Sequence, residues 1–227
     1  MDNEVGDLQT AIRDALGRPR LALDRADLVP AAVLVPIASS ERGLEVVFTR
    51  RTLFVAAHKG QISFPGGAVE PGDRDAVATA LREAREEIGL DPSRVEVVGL
   101  LDDQATASGF LVSPVVGFLP AATRLRPDPA EVAEVFGVPW QELSDPACYS
   151  EKEIEWQGQW IRDYRYTAGD RVIWGVTGRI LSHLLRLVGR LPAGRCAVGP
   201  RALEPGMRDG PVGSRGFPDP GDENMVK

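Results

Sequence analysis

In residues 7–17, DLQTAIRDALG, the apolar positions fall at Leu8, Ile12, Ala15 and Leu16. That is the spacing of one helix face, and Gly17 supplies the stop. The pattern then changes. AAVLVPIA (31–38) is apolar without alternation, as a buried strand is, and LEVVFTRR (44–51) follows it across SSERG, so the two predict a hairpin. GQISFPGG (60–67) predicts a short strand running into a glycine-rich turn. Residues 75–88 place Ala76, Ala80, Ala84 and Ile88 on one stripe and predict a helix. VEVVGLL (95–101) and FLVSPVVGFL (110–119) predict strands, and PAEVAEVFGVPWQEL (129–143) predicts a short helix followed by the apolar FGVPW. Residues 153–175 predict strands carrying aromatic side chains, and VTGRILSHLLRLVGRL (176–191) is an amphipathic helix. From 192 to 227, Gly, Pro, Arg and Asp alternate without a hydrophobic period, so this segment is expected to be a disordered tail. Mixed strands with one helix near the middle and one near the end predict a single α/β (α+β) domain over residues 30–191, preceded by an N-terminal helix and linker at 1–29.

Composition narrows the setting. The chain has 227 residues, 43% of them hydrophobic, enough for one good core. A net charge of −7 argues against a general nucleic-acid binder. Cys148 and Cys196 form neither a close metal-ligand pair nor a disulfide framework, which suits a reducing, cytoplasmic environment. The start, MDNEVGDLQTAIRDAL, has no basic and apolar regions of a signal peptide, and no apolar run approaches a membrane span. The expected partner is therefore a small molecule, with neither nucleic acid nor membrane.

The candidate chemistry lies in REAREEIGL (82–90). Glu83, Glu86 and Glu87 stand at i, i+3 and i+4, on one helix face, where like charges repel. They also sit in the last turns before Gly89, where the helix dipole disfavours negative charge. A solubilising face would alternate signs. Three carboxylates converging on one point suit a hard divalent cation shared with a phosphate.

With these residues in place, GGAVEPGDRDAVATALREAREEIGL (66–90) resembles the signature of the Nudix hydrolase family: a glycine, five residues, a glutamate, seven residues, then R-E-hydrophobic-x-E-E-x-G-hydrophobic. Arg82 to Leu90 match the second half, with Ala84 in the hydrophobic slot. In the first half, counting from Gly67, Asp73 replaces the glutamate, and eight residues instead of seven separate it from Arg82. The flanking FTRRTLFVAAHKGQISFPGG (48–67) is similar to the coenzyme A pyrophosphatase branch, with Thr49, Arg51, Thr52, His58, Gly60, Phe64, Pro65, Gly66 and Gly67 in their places. Ala56 stands where that branch usually carries arginine. SGFLVSPVVG and IWGVTGRIL extend the similarity, which covers residues 30–190.

The resemblance implies a Nudix-type α/β/α sandwich with a central mixed sheet. It implies hydrolysis of a diphosphate bond in a nucleoside diphosphate derivative with Mg²⁺ or Mn²⁺. The first substrate expected is coenzyme A or an acyl derivative, cut to 3′,5′-ADP and 4′-phosphopantetheine. A pyrophosphatase acting on ADP-ribose or NADH is the alternative that Ala56 keeps open, and a non-catalytic nucleotide sensor is a third. By resemblance, Glu83, Glu86 and Glu87 hold the metal with the carbonyl of Gly67, Arg82 orients a glutamate, and Arg51, His58, Gly66 and Gly67 contact substrate. Several other residues have both a functional and a plain reading. Glu131 and Glu134 read as a solvated helix face or as a catalytic carboxylate. Asp102 and Asp103 could point into the cleft. Trp156, Trp160 and Trp174 could stack on a base or pack, and His183 reads as packing. The apolar FGVPW and last helix are compatible with a homodimer and equally with an internal core.

Overall fold

The computed structural model describes residues 2–52, 60–156 and 159–191. Helix α1 (Asp2–Leu16) precedes a hairpin of β1 (Val29–Ser40) and β2 (Gly43–Arg51), then β3 (Ile62–Ser63), β4 (Gly66–Ala68) and α2 (Ala76–Ile88). There follow β5 (Glu96–Leu100), β6 (Gln104–Ala105), β7 (Phe110–Leu119), β8 (Val132–Pro139) and α3 (Trp140–Leu143). The strands β9 (Tyr149–Trp156), β10 (Gln159–Ala168) and β11 (Arg171–Ile173) lead into α4 (Gly175–Leu187).

Among the described residues the main sheet has the order β3-β2-β1-β7-β5, with β4 on β1, β6 on β7 and β8 on β2. It is mixed: β1 runs parallel to β7 from Val29↔Phe110 to Ala38↔Leu119, whereas β1–β2, β1–β4 and β2–β8 are antiparallel. Alternate residues of β1 are buried on opposite faces, which is why its sequence is apolar throughout. Ala32 and Leu34 pack with Ala80, Ala84 and Ile88 of α2 and with Val115 and Leu119. Val35 and Ile37 face the other way, onto a core with Phe48, Val116, Phe118, Ile180, Leu181 and Leu184. This second core also takes Ile12 and Leu16 of α1 and Tyr166 and Ile173 of the small sheet β11-β10-β9. The result is the expected mixed sheet with helices on both faces. No helix among the described residues is long and apolar enough to cross a membrane.

The segment 129–143 departs from expectation. Residues 132–139 form strand β8 and not a helix, and the helical turn comes only at Trp140. Glu131, Val132, Glu134, Val135 and Phe136 mimic helical spacing, but pairing with β2 from Glu45↔Pro139 to Arg51↔Val132 decides the outcome. Short apolar runs do not separate helix from strand by periodicity alone. The apolar side chains that were compatible with a homodimer are internal: Trp140 is 2% exposed, and Leu181, Leu184 and Leu185 are fully buried.

Helix α4 approaches β10 closely at Gly178, where a Cβ would run into the carbonyl oxygen of Tyr164. That obstacle is backbone and cannot swing aside. Gly178→Ala is expected to destabilise the domain by about 2 kcal/mol, within the range for overpacked cores, measured as a shift in the urea midpoint with unchanged slope.

Candidate active site

Helix α2 carries the acidic cluster, and both of its ends are fixed. The Asp75 side chain accepts from the Ala78 N–H at 2.8 Å. At the other end Gly89 adopts the left-handed conformation (φ 63°), its N–H donating to the Arg85 carbonyl at 3.0 Å. Ala80 and Ala84, fully buried, let the helix lie close on the sheet. Glu83 and Glu87 then share the flank that faces β4. A Cβ at Gly67 would run into the Glu83 carboxylate, so glycine is required for this approach. The Gly66 backbone amide favours the charged form of Glu87, against the effect of burial.

Arg82 organises the other end of the cluster. Its Nη1 donates to Glu83 Oε1 at 2.8 Å and to Glu86 Oε2 at 3.1 Å, and its Nη2 to the Ala68 carbonyl at 3.0 Å. Nε and Nη2 fork onto Asp73 at 3.1 and 3.0 Å. Asp73 also accepts from the Glu70 N–H and the Thr79 hydroxyl, both at 3.0 Å. The bonds from Arg82 lead in holding its carboxyl down to about 2. The Asp73 N–H also closes a turn onto the Glu70 carbonyl at 2.9 Å, and α2 begins three residues later, at Ala76. The shorter aspartate still reaches the guanidinium.

Glu87 is the most enclosed of the three, its side chain only 4% exposed. Burial pushes its carboxyl up to about 7 against the opposing charge of Arg51, and the carboxylates of Glu83 and Glu131 push in the same direction as burial. Glu83 is also raised, first by burial, with Arg82 opposing and Glu86 and Glu131 adding to the rise. Arg51 Nη1 stands 3.6 Å from Glu87 Oε1, an ion pair beyond hydrogen-bond reach. The arrangement is thus short of positive charge at its centre.

Among the described residues, no three acidic, histidine or cysteine side chains converge closely enough to hold a metal as they stand. The cause is local. Arg82 lies between Glu83 and Glu86, while Arg51 faces Glu87. The donor set itself suits a hard cation: three carboxylates beside a glycine-lined strand, two of them with pKa raised first by burial.

Glu131 lies in the turn before β8, not on a helix face. Thr52 secures that turn, its N–H donating to the Glu131 carbonyl at 2.9 Å and its hydroxyl to the Ala130 carbonyl at 3.2 Å. The Asp128 N–H ties the same turn to the Glu87 carbonyl at 2.8 Å. Glu134 sits on β8 and pairs with Arg50 and Arg171. Asp102 and Asp103 do not face the cleft. Asp102 accepts from Arg18 Nη2 at 3.2 Å and the Leu21 N–H at 2.9 Å; Asp103 binds Arg20, the Leu23 N–H and the Ser113 hydroxyl, so the pair straps the N-terminal linker to the sheet. His183 is buried beside Arg18 and Asp102, and burial lowers its pKa. Trp160 is 72% exposed on the β9–β10 hairpin. His58, Ala56 and the tail fall outside the described residues.

Comparison with known proteins adds an independent finding. The NUDIX domain model matches residues 28–164. A protein of Photorhabdus laumondii named uncharacterized Nudix hydrolase NudL is 39% identical over 158 residues, 70% of this chain and 84% of that protein. Its namesake from Pectobacterium atrosepticum is 40% identical over 162 residues, 71% of this chain and 84% of that one. Among solved structures, the Nudix hydrolase RenU of M. smegmatis is 20% identical with a TM-score of 0.44, covering 52% of this chain and 74% of its own.

Proposed function

The chain belongs to the Nudix hydrolase family, and on that premise we propose that it cleaves the diphosphate bond of a nucleoside diphosphate derivative, with coenzyme A or an acyl-coenzyme A as substrate. The observation that carries the chemistry is the enclosed, under-neutralised Glu83–Glu87 flank lying against Gly66 and Gly67, with Arg82 braced on Asp73. Glu83, Glu86 and Glu87, with the Gly67 carbonyl, would hold Mg²⁺ or Mn²⁺. When bound, such an ion supplies charge neutralisation for the phosphates and acidifies an attacking water.

The protein's own part is positioning and electrostatics. Arg82 keeps Glu83 and Glu86 side by side and ties them to the preceding turn through Asp73 and Ala68. Arg51, facing Glu87 from the end of β2, is placed to turn its guanidinium onto a substrate phosphate once Glu87 is otherwise neutralised. Glu131, exposed at the turn before β8, adds to the negative field at Glu83 and Glu87 and would accept the proton of the attacking water.

The substrate rests on the similarity of residues 48–67 to the coenzyme A pyrophosphatase branch. Turnover of coenzyme A, dephospho-coenzyme A, ADP-ribose and NADH with Mg²⁺ or Mn²⁺ tests it. Coenzyme A is expected to show the highest kcat/KM, and equal or better turnover of ADP-ribose or NADH would replace this substrate with the reading that Ala56 favours.

A further inference from the structure

Strand β2 ends on two consecutive arginines that diverge, as neighbouring strand residues do. Arg51 faces Glu87. Arg50 leaves by the opposite face, where its Nη2 meets Glu134 Oε2 at 2.7 Å. The other oxygen of that carboxylate, Oε1, takes Arg171 Nη2 at 2.6 Å, from β11 of the small sheet. The Arg171 guanidinium also lies 4.2 Å over the ring of Phe136, which holds its plane in place. Two guanidiniums thus share one carboxylate and leave a net positive charge, in a chain whose net charge is −7. The Nε atoms of both arginines are buried with no hydrogen-bond partner among the described residues. Neither head group is sealed away: the Arg50 and Arg171 side chains are 38% and 30% exposed. Arg50 adjoins Arg51 on β2, and Arg51 Nη1 stands 3.6 Å from Glu87 Oε1, so the arginine pair begins one residue along the chain from the acidic flank.

We propose that Arg50 and Arg171, fixed by Glu134 and Phe136, form a second anion subsite that binds a phosphate monoester of the substrate other than the diphosphate being cleaved. The inference rests on reading the acidic cluster as a diphosphate-cleaving site, and it makes the enzyme selective for nucleotides with a further phosphate on the ribose. Two planar forks can grip the oxygens of a dianionic monoester from two sides, which hydroxyl groups of an unphosphorylated ribose cannot reciprocate. Arg50 and Arg171 act here as specificity residues and take no part in bond cleavage.

The test needs no turnover. Binding of 3′,5′-ADP and 5′-AMP is measured by calorimetry on the full chain with Mg²⁺ present; neither ligand has a diphosphate bond to lose. The parent is expected to bind 3′,5′-ADP at least tenfold more tightly than 5′-AMP. Arg50→Gln and Arg171→Gln should each reduce that preference at least threefold, with melting temperatures confirming that both variants fold. A parent that binds the two nucleotides equally, or binds neither, overturns the subsite without any variant. So does a preference that survives both substitutions. Failure to hydrolyse coenzyme A, with the 3′-phosphate preference intact, would instead sink the substrate proposed above and leave the subsite standing.

Discussion

Glu87→Gln is expected to lower kcat by two or more orders of magnitude, roughly 3 kcal/mol of transition-state stabilisation, while leaving the fold intact. The amide keeps the shape of the side chain and removes the charge that would bind a cation. Its effect on stability has a definite sign. The folded-state pKa of Glu87 is raised to about 7, from a reference of 4.5, chiefly by burial. The folded protein therefore holds a proton that the unfolded chain releases, and the stability this contributes is present below about 4.5 and lost as pH rises through about 7. In EDTA the parent should lose stability across that window. The variant, with nothing to titrate there, should show a flatter profile and be more stable at pH 8, by on the order of 2 kcal/mol. Melting curves at pH 5 and pH 8 in EDTA, set beside single-turnover rates in Mg²⁺, measure both effects. A steeper loss of stability for the variant would mean that Glu87 is paired and charged in the folded protein.

Arg82→Ala should behave in the opposite way and harm the fold as well as the rate. The guanidinium joins Asp73, Glu83, Glu86 and the Ala68 carbonyl. Removing it leaves three carboxylates without their shared cation and frees the turn before α2. Arg82 is 21% exposed, so the loss is smaller than for a fully buried pair: about 2–3 kcal/mol. For a domain of this size that is roughly a 5–10 °C drop in Tm, with kcat falling at least tenfold. Arg82→Lys should recover little, because one ammonium cannot fork onto Asp73 while it holds Glu83 and Glu86. A lysine variant with parent-like stability and rate would show that only the charge matters.

The helix and its acidic flank were legible because both rest on local rules. Alanines at 76, 80 and 84 mark a face that packs closely, Gly89 marks the stop, and glutamates at i, i+3 and i+4 must share a side. Arg82 still donates to Asp73 across the extra residue, through Nε at 3.1 Å and Nη2 at 3.0 Å. What could not be read was set by distant partners. Residues 132–139 become a strand because β2 offers a free edge more than eighty positions earlier. Asp102 and Asp103 turn to the linker because Arg18, Arg20 and the N–H groups of Leu21 and Leu23 arrive there, some eighty residues away in sequence. The pairing of Arg50 and Arg171 through Glu134 joins three strands, and no local pattern encodes it.

The central claim is that the Glu83–Glu87 flank of α2 binds a divalent cation, and differential stabilisation by Mg²⁺ tests it most directly. A ligand that binds only the folded state stabilises it by about 2.7 kcal/mol at a hundred times its Kd. Melting temperatures of the parent and Glu87→Gln are compared at pH 8 in EDTA and in saturating Mg²⁺. A rise of several degrees is expected for the parent, with a much smaller rise for the variant at the same Mg²⁺ concentration. Equal shifts in the two proteins would contradict that claim and leave Glu87 as a buried carboxyl that holds no cation.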